Sequence, residues 1–366
     1  MTEQRLYDKK QRKLFHIELL RIIACFFVIY THTEYHGYYL FSTYPDNTML
    51  FWSYLFFTIF AGIAVPCFFM ISGALMLHRS EEPLHTLWLK RVLRYAILLV
   101  AVCFLYYIQR NSFHLSEINI KEFIIILYSY SSGGITWFLY SYLAYLILLP
   151  VLSVMAKNMK DAHFIYIFII ALFYNGVIPV LEYAVFQGNQ SLNPSFSVGW
   201  IAEKIVIYPL IGYYLEHRMN ESGRGKWMVR LWIAAIIGIL ISCTMTVYKG
   251  RIEGAYIESQ SSTFFSDFAL VTSSAVYLTA MWAARRINFP NWLKTVISGV
   301  GQNTLGIYVL HQFVMWLPVA DVVRDAILKT GINPMLASVF FCLLVMTACY
   351  GITVILKQIP GVKKIL

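Results

Sequence analysis

The chain has 366 residues, 59% of them apolar and only 13% charged, and its 29 Lys+Arg against 19 Asp+Glu leave a formal charge of +10. Soluble domains carry about 25% charged residues, so this composition excludes a water-soluble globular protein. Ten bilayer spans would take roughly 200 positions and leave no room for a sizeable soluble domain, and the basic residues lie between apolar runs without forming a nucleic-acid motif.

Apolar runs near 15–35, 50–77, 87–108, 135–156, 162–182, 197–216, 229–248, 264–284, 300–319 and 334–356 predict an all-α, polytopic membrane protein. The expected unit is one bundle of about ten helices over 1–366, with a basic segment at 1–14 and a tail at 357–366. The first run follows Arg5, Lys9, Lys10, Arg12 and Lys13. It has no A-x-A cleavage site and carries Glu18, Arg21 and His32, so it reads as a retained span rather than a signal peptide. Eleven residues at 100° each bring Arg21 and His32 within about 20° of one another, and about 16 Å apart along the axis. Arg21 thus falls near one membrane surface and His32 in the opposite half, on one face. Glu18 stands one turn before Arg21 and can pair with it; Glu34 and His36 follow His32.

Each ionisable side chain in a span costs roughly 2.5–3.5 kcal/mol on insertion scales, which makes it a functional candidate. For Glu18 and Arg21 a snorkelling interfacial position is the plainer alternative. His32 is the best candidate for a general base, because an unperturbed pKa of about 6.5 suits proton removal near neutral pH.

The second run is too long for an untilted span and holds Pro66, which predicts a kink or a preceding interfacial helix. It ends in Phe69-Met70-Ile71-Ser72-Gly73. The Ser72-Gly73 pair lets either a helix or a ligand approach the backbone closely, and both are candidate ligand-binding positions. Beyond it come Arg79, Lys90, Arg91 and Arg94. Spaced i, i+3 on a helix, Arg91 and Arg94 would project from one side and clamp a phosphate, although basic residues at a helix end also follow from topology alone. The fourth run opens Thr136-Trp137-Phe138-Leu139-Tyr140, where an aromatic belt is the ordinary explanation. Glu182 and Lys204 stand near span ends. The ninth run holds Gly306-Ile307-Tyr308-Val309-Leu310-His311, with a second intramembrane histidine that is either functional or a satisfied structural one. Cys25, Cys67, Cys103, Cys243, Cys342 and Cys349 all fall in apolar runs without CxxC or Cys/His spacing, so packing is expected of them and no metal site.

Positive charge fixes the expected topology. Lys and Arg in the N-terminus, the even-numbered connections and the C-terminus outnumber those in the odd-numbered connections 21 to 6, the six being Arg110, Lys121, Lys249, Arg251, Arg324 and Lys329. Both termini are therefore expected in the cytoplasm, with the connections near 109–122, 183–198 and 249–263 outside.

Arg21-x10-His32, Phe69-Met70-Ile71-Ser72-Gly73, Arg91-x-x-Arg94, Trp137-Phe138-Leu139 and Ile307-Tyr308-Val309-Leu310-His311, in this order over about 14–356, resemble the bacterial acyltransferase family 3. The first and third are specific as a pair. The resemblance implies a plasma-membrane, multi-pass enzyme that takes an acyl group, commonly acetyl, from cytoplasmic acyl-CoA and passes it to a hydroxyl of an extracytoplasmic or lipid-linked glycan. It implies that His32 is the catalytic histidine with Arg21 as its partner, and that Arg91 and Arg94 contact acyl-CoA. Glu18 is grouped with the catalytic pair, and Glu34, Trp137 and His311 with the acceptor. No SGNH-type domain, GDS motif or racemase-like extension accompanies these motifs. The expected partners are acyl-CoA, the hydroxyl acceptor and the lipid bilayer; an oligomer is compatible with the pattern. Competing readings are a transporter or flippase of a lipid-linked sugar, the other membrane-bound O-acyltransferase superfamily with His311 as the catalytic residue, and a signalling or scaffold membrane protein without catalysis.

Overall fold

In water-free surroundings every backbone amide must be satisfied within its own segment, and the apolar runs accordingly fold as helices. The computed structural model describes residues 3–79, 83–111, 114, 118–129, 135–196, 198–253 and 268–366, with side chains from Phe15 onward, and among these there is no strand. The described elements include α1 (Glu3–Thr31), α2 (Met49–Ala61), α3 (Ala64–Met76), α4 (Leu84–Leu87), α5 (Leu93–Arg110), α6 (Ile120–Ser129), α7 (Thr136–Asn158), α8 (Asp161–Leu172) and α9 (Ile178–Ala184). The second half has α10 (Lys204–Tyr213), α11 (Arg224–Ile252), α12 (Ala269–Arg286), α13 (Asn291–Gly301), α14 (Thr304–Met315), α15 (Pro318–Lys329), α16 (Pro334–Leu356) and α17 (Pro360–Ile365).

Among the described residues, six helical stretches are long and apolar enough to cross a membrane: Met49–Met76, Leu84–Arg110, Thr136–Asn158, Asp161–Ala184, Glu221–Ile252 and Pro334–Leu356. A seventh arises if α14 and α15, bent by 82°, count as one broken span. The other expected spans are helical but of a different kind. Every residue of α10 from Val206 to Tyr213 is buried, as is most of α12, so these are core helices enclosed by their neighbours.

Small residues set the closest crossing. A Cβ on Gly73 of α3 would lie 1.9 Å from the Pro209 carbonyl oxygen of α10, and one on Gly212 of α10 would lie 2.0 Å from that of Met70 in α3. The two backbones touch through a reciprocal glycine pair, the close approach that stabilises helix contacts in lipid. Pro66 falls in the first turn of α3, where its missing N–H costs no helical bond, and the run breaks at Gly62–Ile63 just before it.

Side-chain contacts gather two sets of helix ends. At the basic end Arg218 pairs with Asp161, Arg285 with Glu221, Arg94 reaches the Ile365 carbonyl and Lys357 reaches Asn303. At the other end Arg251 pairs with Asp46, and Arg324 with Asp321 and Asp325. These are the same two groups of connections that the charge count separates.

Candidate active site

Three helices converge on the middle of the bundle: α1, α14 and α16 pack together with α3 and α12 around α1. Two cavities of about 330 Å³ each open from opposite ends toward this region. The cavity at the basic end is lined by Arg21, Ser72, Arg79, Arg91, Tyr142 and Tyr308 among others. A groove of about 730 Å³ adjoins it through Met76, Arg79 and Arg91 and adds Lys157 with apolar walls from Leu84, Leu87, Leu149 and Val154. The opposite cavity is lined by His32, Glu34, Gln312, Trp316, Arg324 and Ser338 among others.

Arg21 donates to the Glu18 carboxylate at 3.1 Å; the Arg side chain is 28% exposed and the Glu side chain 8%. Glu18 is wedged against α13, where a Cβ on Gly301 would lie 2.3 Å from its Oε2. That oxygen has no partner among the described residues. One carboxylate oxygen thus holds the guanidinium, whose side chain lines the cavity and carries four further N–H donors.

His32 stands one residue beyond α1, its N–H bonded to the Ile29 carbonyl at 3.1 Å, and faces the opposite cavity. Arg21 lies within α1 and His32 just past its end, and they line different cavities. A separation of about 16 Å prevents both from touching the same reacting atom.

A row of rings joins the two cavities. Tyr308, in the wall of the basic cavity, lies 5.6 Å from His311 between ring centroids, and His311 lies 5.1 Å from His32. Tyr308 donates its hydroxyl to the Ile135 carbonyl, which fixes the ring across the base of the cavity.

The structure separates the Arg91/Arg94 pair. Arg91 belongs to a wider, π-type turn, Trp88–Val92, while Arg94 begins the regular α5. The altered winding breaks the shared face that i, i+3 spacing gives on an α-helix. Arg91 turns into the cavity and groove, whereas Arg94 donates to the Ile365 carbonyl at 3.2 Å. Ser72 and Gly73 part in the same way. The Ser72 hydroxyl lies in the cavity wall, 3.2 Å from that of Tyr142, while Gly73 faces Pro209 in the helix crossing. Glu34 joins His32 in its cavity, in a left-handed conformation at φ 48°. Trp137 lies outside the lining of both cavities, with the Lys204 ammonium 5.4 Å over its ring.

Several residues of this region were not among those expected from the sequence. Gln312, Ser338 and Trp316 line the His32 cavity because α14 and α16 pack on each other and on α1, and the Gln312 Oε1 is buried without a partner among the described residues. Gln312 is an amide inside an apolar run, which is a signal; Ser338 is a small hydroxyl of the kind common in spans. Also unforeseen is a buried network in which His16 meets Glu216 at 2.9 Å and the Tyr277 hydroxyl donates to the same oxygen at 3.0 Å. No group of three or more potential metal ligands occurs among the described residues.

A family model described as an acyltransferase domain, that of acyltransferase family 3, matches residues 15–354, nearly the whole chain. No curated protein and no solved structure matches it.

Proposed function

Since the chain belongs to acyltransferase family 3 and is a multi-pass membrane protein, we propose that it moves an acyl group, acetyl in the simplest case, from cytoplasmic acyl-CoA to a hydroxyl of a glycan or lipid-linked sugar on the outer side of the plasma membrane. The observation that carries this reading is the pair of cavities at opposite ends of the bundle, bridged by the row Tyr308, His311, His32.

The basic cavity and groove suit the donor. Arg21, Arg79, Arg91 and Lys157 offer charge to its phosphates, and the apolar groove walls accept the uncharged stretches of a long thioester. Glu18 orients Arg21. Arg21 therefore acts at the donor rather than at the reacting carbonyl, and Arg94 acts through the C-terminal helix rather than on the phosphates.

His32 serves as general base on the acceptor side. One ring nitrogen takes the proton of the acceptor hydroxyl as its oxygen bonds to the thioester carbonyl carbon. The tetrahedral intermediate then expels the thiolate by breaking the C–S bond, and the imidazolium returns the proton to sulfur. Glu34, Gln312 and Ser338 stand where they can bind the neighbouring hydroxyls of a sugar, with Trp316 as an apolar wall.

The test is transfer from radiolabelled acetyl-CoA in membranes carrying wild type or His32→Ala, with label followed separately in protein and glycan. Label should reach glycan with wild type and fall at least 10²-fold, on the order of a general base's contribution, with His32→Ala. Normal turnover by the variant refutes the assignment of His32.

A further inference from the structure

His311 is fully enclosed, at 0% exposure, and one of its nitrogens is committed. Its Nδ1 lies within hydrogen-bond distance of the Tyr308 carbonyl oxygen. A carbonyl can only accept, so Nδ1 carries the proton and Nε2 presents a lone pair. That Nε2 is buried and has no partner among the described residues. A buried acceptor left unpaired costs about 1–3 kcal/mol, so its retention calls for a purpose.

The neighbouring ring is His32, at 5.1 Å between centroids with the planes inclined by 47°. Two imidazoles joined by an ordinary N–H···N bond of about 3 Å span a similar separation. His32 lies just past the end of α1 and forms part of a cavity wall, so its ring borders open volume on one side. We propose that His311 is the positioning residue of His32: its Nε2 accepts the N–H of His32, which holds the other His32 nitrogen deprotonated and aimed into the outer cavity.

This inference rests on His32 acting as base. In the transfer step His32 takes the acceptor's proton on its free nitrogen, and the lone pair of His311 stabilises the imidazolium through the opposite N–H until the proton passes to the departing sulfur. His311 neither gains nor loses a proton. A carboxylate in this place would orient the base more strongly, but an ionised side chain this deeply enclosed in a span is costly, whereas a neutral imidazole supplies an acceptor without a charge. The Tyr308 carbonyl fixes the tautomer that makes it one.

Three substitutions separate positioning from packing. Glutamine places an oxygen at the Nε2 position, asparagine places its amide at the Nδ1 position, and leucine supplies neither. The measurement is acetyl transfer at saturating acceptor, with KM for acetyl-CoA and thermal stability in detergent recorded for each variant and for His32→Ala. His311→Gln should keep kcat within about threefold of wild type, while His311→Asn and His311→Leu should lose on the order of 10²-fold in kcat, with KM for acetyl-CoA unchanged. If His311→Asn retains activity and His311→Gln loses it, the Tyr308 contact is what matters and the inference is overturned. Equal loss by all three variants with wild-type stability also overturns it. Activity retained by His32→Ala refutes the base assignment itself, an outcome distinct from either pattern at His311.

Discussion

Arginine-to-alanine changes at two positions only three residues apart should have unlike effects. Arg91 projects from the π-type turn into the basic cavity and groove, while Arg94 is exposed and bonded to the Ile365 carbonyl at 3.2 Å. A charge-assisted hydrogen bond contributes about 1.5–3 kcal/mol, and the openness of this site to water argues for the lower end. Loss of about 1.4 kcal/mol corresponds to a tenfold weaker complex, so Arg91→Ala should raise KM for acetyl-CoA about tenfold with little change in kcat. Arg94→Ala removes a contact to an exposed backbone carbonyl of α17. It should cost at most about 1 kcal/mol of stability and leave KM within about twofold. The assay is initial-rate transfer over a range of acetyl-CoA concentrations in matched membranes, with expression and melting midpoint as controls. Equal increases in KM for the two variants would refute the reasoning, because they would mean that both guanidiniums reach the donor and that the wider turn does not divide them.

Gly73→Ala should destabilise by about 1–3 kcal/mol, since its Cβ meets the Pro209 backbone, whereas Gly351→Ala, with open space around it, should change stability by no more than about 0.5 kcal/mol; thermal midpoints in detergent compare the two. Glu216→Ala removes the acceptor shared by buried His16 and Tyr277 and should lower stability by about 1–3 kcal/mol, with a second change, His16→Ala, adding much less than its own single effect; a double-mutant cycle of melting midpoints measures this. Ser338→Ala removes a cavity-wall hydroxyl whose protein neighbour is the weakly hydrogen-bonding Cys342 thiol, so stability without acceptor should change by no more than about 1 kcal/mol, while KM for the acceptor rises about tenfold and KM for acetyl-CoA stays constant.

Reading the sequence succeeded where a local rule was sufficient. Helices follow from the length and apolarity of each run, and the partition of helix ends follows from where Lys and Arg fall. Spacing across a perturbed turn was not legible: nothing in Trp88-Leu89-Lys90-Arg91-Val92 announces a wider turn, and where a shared face was expected Arg91 lines the cavity and Arg94 bonds the Ile365 carbonyl. The length of the ninth run misled in the same way, because its stretch near 300–319 spans parts of three helices, with α15 folded back by 82° to wall the His32 cavity. Helix α6 was not foreseen either; it is a short, largely apolar segment that lies mostly between the polar connection near 109–122 and the apolar run from 135.

Sequence by itself determined that this chain is helical, membrane-spanning and related to acyltransferases, because burial in lipid and the pitch of a helix act on residues close together in the chain. Only the tertiary structure decided which of its polar residues share a cavity. Gly73 meets Pro209, Gly212 meets Met70 and Gly301 meets Glu18, and His32 and Ser338 come to share a cavity, through helix crossings between distant parts of the chain. Such crossings depend on backbone approach at small residues and on bends that no local pattern encodes, and the junction of His32 with His311 is of that kind.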